Sequence, residues 1–162
     1  MIKTYLYSFG YAGLMFPVAL FRICIGYIFL SSSFDKINSD YLIHPLISAK
    51  ITEWLPYSTA PEWFKNWLEL DIIPNDNWKI LAFAFTYFEF FIGVSYLFGL
   101  LVRPASIMGM FLMLSYILVF GSGLVVYYQL LFFVFLMLMW VGAGRCMGLD
   151  YFFYKKYRGL LW

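Results

Sequence analysis

The sequence predicts an all-α membrane protein, a four-transmembrane-helix antiparallel bundle with a short extracytoplasmic helical segment. Hydrophobic residues make up 64% of the chain and charged residues only 12%, whereas a soluble domain carries about 25% charged residues. Four apolar stretches are long enough to cross a bilayer. Basic residues gather on one side of these stretches, as they do in membrane proteins of fixed orientation. A net charge of only +2 gives no indication of nucleic-acid binding.

The four predicted spans follow from the length of the apolar stretches. A bilayer core of about 30 Å needs roughly 20 apolar residues in a helix, and the stretches that qualify are 11–32, 80–101, 104–120 and 124–141. Pro104 suits the first turn of the third span, and Gly-Ser-Gly at 121–123 suits a tight turn. We expect one domain over 1–162, with segment 33–79 outside the membrane.

The charge distribution predicts the orientation. The pieces before the first span, between the second and third, and after the fourth carry one acid, Asp150, and these basic residues: Lys3, Arg103, Arg145, Lys155, Lys156 and Arg158. Segment 33–79 instead carries four lysines against seven acids, namely Asp35, Asp40, Glu53, Glu62, Glu69, Asp71 and Asp76. Because cytoplasmic loops are enriched in Lys and Arg, we expect a multi-pass protein of the inner membrane with both termini in the cytoplasm.

The extracytoplasmic segment contains an aromatic helix signal. Pro61 can open a short helix in which Trp63, Trp67 and Leu70 share a face at i, i+4 and i+7. Such a helix would lie along the outer interface. We favour the interpretation that the extracytoplasmic segment is a plain connector with interface anchors. The alternative is that it forms a lid over a substrate.

Two charges fall inside the predicted spans, Arg22 in the first and Glu89 in the second. Arg22 is about 16 Å from the inner end of its span and Glu89 about 14 Å from the outer end, at 1.5 Å per residue. A charge at mid-span costs about 2.5–3.5 kcal/mol on insertion scales and usually finds a partner. We therefore predict that Arg22 and Glu89 pair near the midplane.

Further polar side chains could surround this pair. Thr86, Tyr87, Tyr116 and Gln129 are available to line a cavity. Two interpretations stay open: a buried ion pair that fixes helix register, and a polar pocket for a quinone, another lipid-soluble substrate or a proton path.

Other polar residues give weaker signals. Asp35 and Lys36 lie at the predicted outer end of the first span, where Lys36 could snorkel or interact with the helix C-terminus. The cysteines Cys24 and Cys146 and the single histidine His44 show no metal-ligand spacing, so no metal site is expected.

Two long strings resemble the DoxX/DoxD family. The first is RICIGYIFLSSSFDKI, from Arg22 to Ile37, and the second is IPNDNWKILAFAFTYFEFFIGVSYLFGLLVRPASIMGM, from Ile73 to Met110. The resemblance covers the chain from about Tyr11 to Tyr151. The residues that match the family pattern are Arg22, Gly26, Lys36, Glu89, Gly93 and Arg103.

The resemblance implies a four-helix membrane bundle and a link to quinone redox chemistry. Founding archaeal members are similar to a subunit of thiosulfate:quinone oxidoreductase, and many relatives are accessory membrane subunits. The sequence has no haem-ligand histidine within a span and no flavin or iron–sulfur motif. We therefore expect no cofactor in the chain itself, a quinone as the ligand, and electrons carried by the quinone or a partner. The alternative is a non-catalytic scaffold that docks partner subunits; a homo-oligomer is left open.

Overall fold

The computed structural model describes residues 2–39, 41–58, 60–74, 77–120, 122–145 and 148–150, and over these residues the chain is helical with no strand. Six α-helices follow one another. Four of them are long: α1 (Ile2–Asn38), α4 (Trp78–Phe98), α5 (Val102–Val119) and α6 (Ser122–Val141). Two are short and lie between α1 and α4: α2 (Leu46–Trp54) and α3 (Glu62–Trp67).

In the described part of the chain, four helical segments are long and apolar enough to cross a membrane: Phe16–Asn38, Trp78–Phe98, Val102–Val119 and Gly123–Val141. The predicted fold class is therefore confirmed. The last three segments agree with the predicted spans to within about three residues. The first runs to Asn38, whereas the predicted span ended at residue 32. Ser31, Ser32, Ser33 and Asp35 made that end look like a loop, yet the backbone there remains helical.

The α1–α4 contact is set by two glycines. A Cβ on Gly93 would lie 2.7 Å from the backbone nitrogen of Leu30, and a Cβ on Gly26 would lie 2.9 Å from that of Leu97. Only glycine therefore permits this approach, as in other membrane helix pairs that use small residues at the interface. The two contacts fix the antiparallel register of α1 on α4.

The connection between α4 and α5 uses left-handed backbone. Gly99 ends α4 with φ 64°, and Leu101 precedes α5 with φ 55°. The carboxylate of Asp150 accepts hydrogen bonds from the backbone N–H groups of Leu101 (2.8 Å) and Val102 (3.2 Å). These N–H groups belong to a helix start and have no partner within the helix, so Asp150 supplies the cap that Leu101 cannot.

The segment between α1 and α4 packs onto the bundle. Apolar residues of α2 and of the turn that follows it recur at Ile47, Ile51 and Leu55, and all three are buried. They form a cluster with Leu68, Ile72, Trp78, Ala82 and Val119. The sequence did not indicate α2 as a packed helix, because its buried face is too short to stand out. On α3 and the turn after it, Trp63 and Leu70 remain about 70% exposed.

Candidate functional site

The carboxylate of Glu89 is the centre of the candidate site. Glu89 lies near the middle of α4 and is only 3% exposed. Lys36, in the last turn of α1, directs its ammonium inward and contacts both carboxylate oxygens, with Nζ 2.5 Å from Oε1 and 2.6 Å from Oε2. A buried charge is tolerated in a span when it is paired and hydrogen-bonded. Lys36 is therefore the partner of Glu89.

Two hydroxyl groups complete the shell around the carboxylate. The Tyr116 hydroxyl, from α5, donates to Oε1 at 2.8 Å, and the Ser32 hydroxyl, one turn before Lys36, donates to Oε2 at 3.2 Å. The Lys36 ammonium also lies 3.5 Å from the Tyr116 oxygen. Three donors from two other helices thus converge on one acid, which we call the Glu89 cluster (Ser32, Lys36, Glu89 and Tyr116).

Arg22 lies elsewhere, and the predicted Arg22–Glu89 pair is wrong. The Arg22 side chain is fully buried, and its Nη1 donates to the carbonyl oxygen of Ala143 at 2.6 Å. A Cβ on Gly99 would lie 2.7 Å from Nη1, so the guanidinium sits beside the turn that follows α4. Because Glu89 precedes Gly99 by about ten residues, it is about 15 Å away along the axis. Arg22 is at one end of the bundle, not at the midplane.

Three predicted lining residues, Thr86, Tyr87 and Gln129, do not belong to the Glu89 cluster. Thr86 is fully buried, but its hydroxyl donates to the Ala82 carbonyl oxygen of its own helix at 2.8 Å. Tyr87 is 56% exposed and stacks on Phe83, and Gln129 is exposed on α6. Tyr116, by contrast, contacts Glu89 through its hydroxyl, and Asp35 lies exposed at the end of α1.

A cavity of about 410 Å³ adjoins the Glu89 cluster. Its volume falls within the range of about 300–1,000 Å³ typical of small-molecule sites. All four cluster residues line it, and together they form its polar end. The remaining wall is mainly aromatic and aliphatic, and includes Phe29, Phe85, Phe111, Met113, Phe120, Tyr128 and Leu131. The cavity is thus a mainly apolar chamber with a charged, hydrogen-bonded corner at Glu89, and Lys50 adds a further charge at its margin.

The segment between α1 and α4 closes one end of this cavity. Ile47 and Ile51 of α2 and Leu68 after α3 line it and are each under 7% exposed. Tyr41 also lines it, with Lys36 Nζ 5.8 Å and Lys50 Nζ 5.9 Å from its ring centre, close enough for cation–π attraction. Burial, reinforced by the negative charge of Glu89, raises the pKa of Tyr41 to about 12. Its hydroxyl therefore stays protonated at neutral pH.

The sequence held a signal that could have identified Lys36. Gly26 and Gly93 mark the contact between two antiparallel helices. Because Gly93 lies against Leu30, Glu89, four residues before Gly93, lies level with about Phe34 of α1 and within reach of Lys36. The participation of Ser32 and Tyr41 has no comparable signal, because serines and tyrosines are common in this chain.

The cluster can donate and accept hydrogen bonds at one point of an apolar chamber. The ammonium and the phenol are donors, and the carboxylate is an acceptor. In the part of the chain that the structure describes, no three His, Cys, Asp or Glu side chains come together as a metal site. What the arrangement offers is recognition of a flat or elongated apolar molecule with a polar end.

No curated protein and no solved structure matches the chain. The family model DoxX matches residues 17–122. The match spans about two thirds of the chain and contains every residue of the Glu89 cluster, although α6 lies almost entirely beyond it. With four membrane-crossing helices of the expected length, this multi-pass membrane protein belongs to the DoxX family.

Proposed function

We propose that the chain is a membrane subunit of a quinone-linked redox system and that it binds the quinone ring in the cavity beside Glu89. The observation that carries the proposal is the combination of a mainly aromatic chamber with the charged, hydrogen-bonded Glu89 cluster inside the span region. A quinone ring has the matching chemistry, since its faces are apolar and its two oxygens accept hydrogen bonds.

The roles of the residues follow from their donor and acceptor properties. Lys36 and Tyr116 can donate to a ring carbonyl, and the Glu89 carboxylate can accept a hydrogen bond from the hydroxyl of the reduced ring. Aromatic side chains such as Phe85 and Tyr128 supply faces and edges against which a ring can pack. Because the sequence carries no electron-carrier motif, electrons would pass between the quinone and a partner subunit.

The test measures quinone affinity in lipid nanodiscs for wild type, Tyr116→Phe and Tyr87→Phe. Tyr116→Phe removes a phenol of the cluster, and we expect affinity to fall by about 5–10-fold, the effect of one lost hydrogen bond. Tyr87→Phe removes a phenol from the same bundle on its exposed side and should leave affinity unchanged. Equal affinity in all three proteins, or no quinone binding by wild type, would contradict the proposal.

The alternative is a non-catalytic scaffold that docks partner subunits. It is favoured by the saturation of the Glu89 carboxylate, which accepts bonds from three side chains within the chain itself, as a register lock would. The exposed Trp63 and Leu70 of the outer segment offer a contact surface. A purified partner complex whose redox activity is unchanged by Glu89→Gln would support the scaffold over the quinone site.

A further inference from the structure

The cavity has an exposed rim at the depth of the membrane. Ile28, Phe111 and Tyr127 line it and are each between 50% and 60% exposed, at 56%, 59% and 53%. All three belong to membrane-crossing segments, of α1, α5 and α6 respectively. Deeper lining residues such as Met113 are almost fully buried. The cavity is therefore open at this rim and closed behind it.

The helix packing is consistent with an opening at this place. Among the described helices, α1 packs mainly along α4, α4 along α5, and α5 along α6. Phe29 of α1 meets Phe135 of α6 edge to face, with ring centres 5.4 Å apart, but α1 and α6 do not pack along each other as the main pairs do. The rim residues come from the two sides of this opening, with Ile28 on α1 and Phe111 and Tyr127 on the α5–α6 pair.

The polar corner lies immediately behind the rim. Ile28, Ser32 and Lys36 follow at i, i+4 and i+8 on one face of α1, and all three line both the cavity and a shallow groove on the outside of α1. A molecule that passes Ile28 therefore meets the Glu89 cluster within about one to two helical turns.

The opposite end of the cavity is less suited to an apolar tail. It is covered by buried residues of the outer segment, and its exposed margin carries the charged Lys50 beside Trp67. At the rim, the exposed lining side chains are Ile28, Phe111 and Tyr127, and the polar Ser31 and Asp35 of the adjoining groove lie further toward the C-terminal end of α1. An occupant with a polar head and a long apolar tail would leave its tail at the apolar rim.

We infer that the cavity is entered sideways from the lipid, between α1 and the α5–α6 pair, and that its ligand is a quinone with a long isoprenoid tail that lies across this rim. The inference rests on the proposed function and adds the route of entry and the class of ligand. A ligand taken up from water would have no use for the lipid-side opening.

The test compares two probes that share one ring: a decaprenyl benzoquinone and the same benzoquinone without its tail. Ile28→Trp fills the rim, and Ile80→Trp is the matched control, since Ile80 is 71% exposed on α4 and does not line the cavity. We expect Ile28→Trp to weaken binding of the long-tailed probe by about tenfold or more and binding of the tailless ring by less than about twofold. Ile80→Trp should change neither.

The tailless ring also reports that the variant is folded, because it needs an intact cavity. A third variant, Lys50→Trp, narrows the outer margin and should affect the two probes equally. If Ile28→Trp weakens both probes equally, or if Lys50→Trp alone discriminates against the long tail, the lateral entry is wrong while the quinone site stands. If wild type binds neither probe, the proposed function fails and the inference with it.

Discussion

Glu89 carries a formal negative charge at the centre of a membrane-crossing helix, where an unpaired charge costs about 2.5–3.5 kcal/mol on insertion scales. Lys36 neutralises this charge, and Ser32 and Tyr116 satisfy further lone pairs of the carboxylate. Lys36 remains 23% exposed along its side chain, so the pair is not sealed from its surroundings. The pair is therefore accessible enough to exchange one hydrogen-bond partner for a ligand.

We expect Lys36→Met to destabilise the protein by about 2–4 kcal/mol, because the change leaves a buried carboxylate without its counter-charge. The double variant Lys36→Met with Glu89→Gln should recover part of this loss, with a coupling energy of at least about 1 kcal/mol. Unfolding in detergent micelles, followed for wild type, both single variants and the double variant, gives the coupling directly. Strict additivity would show that the two side chains do not interact.

Residue type alone was enough to select Glu89 and Tyr116 as candidate site residues, but it did not predict which side chains contact each other. Thr86 and Tyr87 are neighbours of Glu89 in sequence, yet one bonds to its own helix and the other is exposed. Which face of a helix meets a neighbour depends on its rotation in the bundle, and nearly every face of these helices is apolar. Arg22 was paired with the wrong residue for a related reason, since the depth of each charge was counted from uncertain span ends.

At the scale of helices, the register of α1 on α4 brings Lys36 to Glu89, and it depends on Gly26 and Gly93. The four spans themselves were predictable, because length and apolarity decide membrane crossing whatever the packing. The extension of α1 to Asn38 was not, since three consecutive serines followed two residues later by an aspartate resemble the start of a loop. This extension is what carries Lys36 inside the bundle.

We expect Gly93→Ala to destabilise the protein by about 1–3 kcal/mol, the usual cost of overpacking. The new Cβ would lie 2.7 Å from the backbone nitrogen of Leu30, so the helices must separate. Gly123→Ala is the control, because a Cβ there meets nothing within 4 Å. Thermal unfolding of both variants tests the contrast, and equal midpoints would show that the close approach at Gly93 does not limit stability.

At the scale of the whole molecule, charge asymmetry predicts that both termini lie in the cytoplasm and that segment 33–79 lies outside. The bundle is consistent with this division into two ends. α2 and α3 cover one end, and the α4–α5 turn lies at the other, with Asp150 bonded to it. With the predicted orientation, the end that borders the cavity is the outer one and the end that holds Arg22 is the inner one.

Reporter fusions check this orientation. A fluorescent protein that matures only in the cytoplasm should be active when fused after Trp162, and alkaline phosphatase, which needs the oxidising side, should be active when inserted near His44. The reverse pattern would mean that the orientation is inverted and that the cavity end faces the cytoplasm. If both reporters are active when each is placed at the same position, the protein inserts in both orientations.

The pairing of Lys36 with Glu89 also bears on how the protein is made. Lys36 leaves the ribosome about fifty residues ahead of Glu89, and the whole outer segment is synthesised between them. Without α1, α4 would enter the bilayer with an unpaired acid, at a cost of about 2.5–3.5 kcal/mol on insertion scales. Because translation delivers the base before the acid, the partner that lowers this cost is already made when α4 reaches the membrane.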